Sequence, residues 1–224
     1  MDAARRYEET QGRVRALVGG LADGAGRTPV AACPGWSVHD VVSHLAGVAA
    51  DMTSGRLEGA GGPAWTAAQV EERRDRTLAE VVEEWDAGTA ALLALMVDGP
   101  PARSAVLVAD AVTHEHDLRA ALGAPGERDS AAVDVARQVG IEGLDRRLRA
   151  AELAALRVVA GDTEWLLGVG EPAATLRSDP FSLFRVLFGR RSRAQMAALD
   201  WGGDPGPYLE HLSLFPPPDA DLAE

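Results

Sequence analysis

The chain contains no lysine; all 22 of its basic residues are arginine. With its heavy use of alanine, glycine and arginine, this points to a GC-rich genome. Cations are also scarce against 34 acidic residues, leaving a formal net charge of −12. A nucleic-acid partner is therefore not expected, because backbone phosphates demand clustered cations. The acidic surplus reads as solubility. Cysteine is nearly absent: Cys33 alone excludes an internal disulfide and suggests a reducing compartment. No run of about 18 apolar residues could span a bilayer. The opening MDAARRYEETQGRVRAL lacks the apolar core of a signal peptide. A soluble, cytoplasmic protein with no membrane partner is the expectation.

What is present is an ordinary globular composition over 224 residues, 46% hydrophobic and 25% charged. That length suits a medium domain with a small companion. Residues 3–24 alternate charged and apolar positions at helical spacing, with Tyr7, Val14, Leu17, Val18 and Leu21 on one face. Gly24, Gly26 and Pro29 should end this first helix. Ser37 reads as the N-cap of a second helix running to about Thr53, with Asp40 completing a capping box. Trp36, just before the cap, would pack against Val41 or Val42. Residues 66–97 read as one long helix stopped by Gly99–Pro100–Pro101. A fourth helix spans about 103–122. Four helices with short connections predict an antiparallel four-helix bundle over residues 1–125.

The composition shifts at GAPGERD, and residues 126–224 read as a small α+β domain. A helix over 131–150 precedes a hairpin turning at Gly161–Asp162 and a third short strand, PAATLRS. Ser178 or Asp179 caps a helix with Pro180 near its start and Gly189 at its end. RSRAQMAALDW reads as a last helix, followed by a Pro-rich tail expected to be loosely packed. Trp165 and Trp201 are taken as core residues.

Chemistry concentrates in ADAVTHEHDLRAAL. On a helix, Asp110, His114 and Asp117 lie four and three apart and share one face. His44 sits in another helical run, VVSHLAGVAADM. Two imidazoles and a carboxylate from two facing helices can hold a zinc-like cation and leave positions open for a substrate atom. The competing reading of His44 is a satisfied core histidine. His116 is roughly 200° around the helix from His114 and should face away. His39 falls in the first turn of its helix and should be exposed, and His211 has no evident partner. Asp117 serves either as a carboxylate supporting His114 or the substrate, or as an ordinary helix-face salt bridge. Cys33 reads as a loop residue beside Pro34 and not as a nucleophile.

CPGWSVHDVVSHLAG, followed by ADAVTHEHDLRAALG, resembles the DinB-like metal-binding bundle. More narrowly it resembles the mycothiol-dependent maleylpyruvate isomerase family of actinobacteria. The stretch from Arg157 to Trp201 is similar to that family's second domain. The resemblance implies metal ligands at His44, Asp110 and His114, with zinc as the expected ion and mycothiol as thiol cosubstrate. It places Asp110 where isomerase-type members usually carry glutamate, so the carboxylate here reaches about one methylene less. It also implies an arginine in the second domain that meets a carboxylate, Arg190 or Arg191, with Arg190 chosen. The implied activity is metal-assisted addition of the thiol to an electrophilic small molecule, as isomerase or S-transferase. The alternative is a non-enzymatic binding or regulatory member with a degenerate metal site.

Overall fold

The computed structural model describes residues 3–22 and 24–224; Met1, Asp2 and Asp23 lie outside the described residues. The protein is mostly helical with a small mixed sheet late in the chain. It divides into two compact units after Gly126.

The first unit is the antiparallel four-helix bundle, built from α1 (Ala3–Val18), α2 (Val38–Ser54), α4 (Leu78–Asp98) and α5 (Pro101–Ala121). A short helix, α3 (Pro63–Glu71), lies against α2. Helix α1 packs on α4 and α5, and α2 packs on α4. Fully buried Val14, Val41, Val42, Leu45, Leu92, Val108 and Val112 form the core between them. Each such side chain contributes about 1.5–3 kcal/mol through the apolar area it removes from water. A charged group, Glu115, is sealed beside them. It is wholly buried and binds the guanidiniums of Arg13 and Arg119 at 2.7 and 2.9 Å, tying α1 to α5.

Helix α2 starts as its sequence dictates. Ser37 Oγ accepts from Asp40 N at 3.3 Å, and Asp40 Oδ2 accepts from Ser37 N at 2.8 Å. It ends at Gly55, whose φ of 77° is the left-handed cap that glycine adopts without steric cost.

Two helix boundaries in this unit differ from expectation. Helix α1 stops at Val18, where the Gly19–Gly20 pair withdraws helical preference before Leu21 is reached. The single helix over 66–97 is two helices. Thr77 and Glu80 form a capping box that starts α4 afresh, with Thr77 N donating to Glu80 Oε2 at 2.7 Å.

The second unit carries α6 (Ala131–Ala150), then β1 (Ala154–Ala160), β2 (Thr163–Leu167) and β3 (Val169–Ser178). Helices α7 (Pro180–Leu187) and α8 (Arg193–Ala197) follow, then β4 (Asp200–Gly202). The sheet order is β2-β1-β3-β4; β1 runs antiparallel to β2 and parallel to β3. Asp179 rather than Ser178 caps α7.

The final helix is shorter than expected, because Asp200–Gly202 pairs with Arg177–Thr175 as a strand. Trp165 and Trp201 are half-buried rather than core. Nor is the tail loose: Tyr208, Leu209, Leu212 and Ser213 are buried, and Leu214 N donates to Leu187 O at 2.8 Å. Gly143 on α6 leaves the space that the Leu214 side chain fills.

Candidate metal centre

The site lies in the first unit, between α2, α5 and the loop leading into α2. That loop is tightly bonded to itself. Cys33 N donates to Val30 O, Trp36 N to Cys33 O and Val30 N to Trp36 O, each at 2.9 Å. These bonds fix Cys33 and Trp36 over the helices. The Trp36 ring lies 5.3 Å from the His44 imidazole and 6.2 Å from that of His114. Trp36 is thus an aromatic wall for two histidines, where a staple on Val41 or Val42 was expected.

The two imidazoles meet edge to face with centroids 5.1 Å apart. His44 Nε2 is 3.5 Å and His114 Nε2 is 3.7 Å from the same atom, Asp110 Oδ1. The donor atoms of His44, Asp110 and His114 all lie within 4.8 Å of one another. A tetrahedral cation with bonds of about 2.0–2.2 Å spaces its donors by about 3.4 Å, so this set fits one. His44 and His114 are nearly buried, with side chains 5% and 11% exposed, while Asp110 is 32% exposed. The carboxylate is therefore the edge of the site open to solvent.

Behind His114, Nδ1 is 3.0 Å from Oδ2 of Asp117, a wholly buried carboxylate. An ionised carboxylate only accepts, so neutral His114 carries its proton on Nδ1 and turns the Nε2 lone pair toward Asp110. This is the carboxylate–imidazole support common behind metal-bound histidines. It places Asp117 on the opposite side of the imidazole from Asp110. Behind His44, Nδ1 is 2.8 Å from Gln69 Oε1, and Gln69 Nε2 donates to Asp51 Oδ2 at 2.7 Å. Tyr7 is buried nearby; loss of hydration drives its phenol pKa well up, and the Asp110 charge adds to that shift.

A second donor set shares His114. Cys33 Sγ lies 3.3 Å from Asp117 Oδ2 and 3.7 Å from His114 Nδ1, and these three residues also keep donor atoms within 4.8 Å of one another. The two sets use opposite nitrogens of one ring, so a cation in either sets the proton position for the other.

The remaining candidates belong to neither donor set. Arg190 belongs to the second unit, where it is nearly buried and donates to Phe188 O at 2.7 Å. Arg191 donates to Arg190 O at 2.7 Å and to Glu224 Oε2 at 2.9 Å. His116 is buried and belongs to neither donor set. His39, expected to be exposed, is half-buried with Nε2 2.8 Å from Arg76 O. His211 lies 3.3 Å from Glu210 Oε1. Sequence reasoning missed Gln69, Asp51 and the proximity of Cys33. For Asp51 the signal was present, since His44, Gly47 and Asp51 recur at spacings of three and four on one helix face. Gln69 sits in a polar run that offers no such pattern.

Residues 7–117 match the family described as the mycothiol maleylpyruvate isomerase N-terminal domain. Two solved structures share the fold. One is the crystal structure of a mycothiol-dependent maleylpyruvate isomerase, at TM-score 0.57 and 12% identity, covering 84% of this chain and 88% of that chain. The other is a histidine-to-alanine variant of such an isomerase, at TM-score 0.60 and 11% identity, with the same coverage of 84% and 88%. No curated protein matches the chain. At these identities the structural likeness speaks for the fold.

Proposed function

We propose, from a chain whose residues 7–117 belong to the mycothiol maleylpyruvate isomerase N-terminal domain family, that the protein activates a low-molecular-weight thiol, mycothiol, for addition to an electrophilic small molecule. The observation that carries this reading is the convergence of His44, Asp110 and His114 donor atoms within 4.8 Å. These three residues would hold a divalent ion of the zinc class. Such an ion lowers the pKa of a coordinated thiol, supplying the thiolate that is the reactive nucleophile.

The chain's own residues prepare that chemistry. Asp117 keeps the His114 proton on Nδ1, leaving Nε2 free to ligate. Trp36 covers the two imidazoles and limits water around them. Asp110 is the exposed member, and thiol and electrophile would approach from its side. Arg190, the arginine that the resemblance implies for a carboxylate, belongs to the second unit, where its guanidinium donates to Phe188 O at 2.7 Å. Cys33 has no nucleophilic part, because the reacting thiol is a cosubstrate. Thiol addition forms a carbon–sulfur bond and turns the carbon–carbon double bond into a single bond that can rotate; loss of the thiolate restores the double bond and gives an isomerase, whereas if the thiol stays attached, the product is a thioether.

The test is elemental analysis of the purified protein beside His44→Ala and His114→Ala, followed by mixing metal-loaded protein with mycothiol and maleylpyruvate. One metal per chain in the parent, its loss in both variants and thiol-dependent turnover support the reading. Low metal content that neither substitution alters ends it. Metal and thiol binding without turnover indicates a binding module instead.

A further inference from the structure

We propose that Gln69, held in orientation by Asp51, is a positioning residue that fixes the tautomer of His44. It does so by keeping the His44 proton on Nδ1, so that Nε2 faces the site as a lone pair. The role is new to the site described above and rests on the reading of His44 as a ligand.

The argument runs inward from the surface. Asp51 Oδ1 is 2.6 Å from a guanidinium nitrogen of Arg56, to which it is paired as a carboxylate. An ionised carboxylate only accepts hydrogen bonds, so the Gln69 atom 2.7 Å from its Oδ2 must be the amide NH2. The amide oxygen then necessarily faces His44 Nδ1, at 2.8 Å. A carbonyl oxygen only accepts, so Nδ1 must carry hydrogen. A neutral imidazole has one N–H, and His44 Nε2, 3.5 Å from Asp110 Oδ1, is therefore the bare nitrogen. The flipped amide would set oxygen against carboxylate at 2.7 Å and turn an N–H of His44 into the donor set, losing on both sides.

Packing around Gln69 is built for this contact. It is the buried residue of α3, a helix that otherwise lies half or fully exposed. Burying an amide costs free energy unless its hydrogen bonds are made, and a helix docked only for apolar contact would place leucine or methionine there. Here both ends of the amide are satisfied within a buried row. Gly47 clears the approach: a Cβ at that position would stand 2.5 Å from Gln69 Cβ. Arg73, itself buried, donates to Gln69 O at 2.9 Å and is gripped by Glu84, which pins the backbone of this turn. The two ligand histidines thus receive the same proton placement from unlike groups, a carboxylate behind His114 and a carboxylate-oriented amide behind His44.

Two variants and two readouts test this. Gln69→Met keeps the volume and removes the acceptor. The pair Gln69→Glu with Asp51→Asn reverses the donor between positions 51 and 69 but restores an acceptor at His44. Nitrogen-15 NMR of the metal-free protein reports which ring nitrogen of each neutral histidine is protonated, and competition against a chromophoric chelator reports zinc affinity. We expect His44 as a single Nδ1–H tautomer in the parent and as a mixture in Gln69→Met. The His114 tautomer stays unchanged in both, which a general loosening of the fold would not allow. Zinc affinity falls about 10–100-fold in Gln69→Met and recovers in the pair. The proposal is overturned if Gln69→Met leaves the His44 tautomer and zinc affinity as in the parent, or if the pair is as defective as the single variant. Should the parent bind no zinc while Gln69→Met still releases the His44 tautomer, the proposed function fails and the role of Gln69 stands.

Discussion

His114 Nδ1 lies 3.0 Å from Asp117 Oδ2, and no part of that carboxylate reaches solvent. The pair sits one helical turn apart on α5, so the same backbone that places the imidazole also fixes its proton. An acceptor at this distance holds the proton on Nδ1 and leaves a lone pair on the opposite nitrogen, which is the one facing Asp110 and His44. Asp117→Asn keeps the shape and removes the charge. The expected result is zinc binding weakened by about 10–100-fold in chelator competition, with the helical circular dichroism signal preserved. Undiminished affinity would mean that Asp117 serves the fold alone.

Cys33 separates the two donor sets that share His114. If the cation is held by His44, Asp110 and His114, Cys33→Ala leaves metal content at the parent value, because Sγ lies by Nδ1 and is not a member of that donor set. If the cation is held by Cys33, His114 and Asp117, the same substitution removes a thiolate and metal content collapses. Elemental analysis of this one variant, beside Asp110→Ala, decides between the sets. We expect Asp110→Ala to lose metal and Cys33→Ala to retain it.

Much of the bundle was legible because its signals are local. The Ser37–Asp40 capping box, the breaker before α5 and the Asp110–His114 spacing each lie within a few residues. The split between α3 and α4 was equally local, written in Thr77 and Glu80, but the apolar run after them masked it. Contacts between distant segments were not legible. Gln69 meets His44 only because Gly47 lets α3 approach, and nothing in the run around Gln69 announces a buried amide. The tail misled for the same reason. Its prolines suggested a loose strand, while Gly143, far away in sequence, opens the space that fixes Leu214.

Acid sensitivity should be traceable in part to Asp179, the N-cap of α7. Its Oδ1 accepts from Ser182 N at 2.9 Å. Burial pushes this carboxyl up, but hydrogen bonds from the Ser182 side chain and from backbone N–H groups outweigh it and hold the pKa below the ordinary 3.8. A depressed folded-state pKa means the unfolded chain takes up its proton first as pH falls. The stabilisation is therefore present above about pH 4 and is lost as pH drops through the folded value. Asp179→Ala should cost about 1 kcal/mol at pH 7, and the gap from the parent should narrow in acid well below the ordinary carboxylate value. Urea unfolding at neutral pH and in such acid checks this; a gap unchanged at low pH would show that the carboxylate charge is not involved.

Gly47 joins the fold to the site most directly, and a single methyl group tests the connection. In Gly47→Ala the new Cβ would meet Gln69 Cβ at 2.5 Å and Cγ at 2.6 Å, closer than carbon atoms approach. Either α3 moves off α2 or the Gln69 side chain leaves its rotamer. Both withdraw the amide oxygen from His44 Nδ1, now 2.8 Å away. Overpacking of this kind costs about 1–3 kcal/mol, so a lower midpoint in thermal unfolding is expected. Loss of stability alone would not implicate the site, and a control is needed. Gly12 in α1 has open space where a Cβ would stand, so Gly12→Ala should stabilise the helix by about 0.5–1 kcal/mol and leave zinc affinity untouched. Gly47→Ala should weaken zinc binding in proportion to Gln69→Met, and combining the two should add little, since both remove the same hydrogen bond. If the two effects on zinc affinity instead add in full, Gly47 acts on the cation site by a route that does not pass through Gln69.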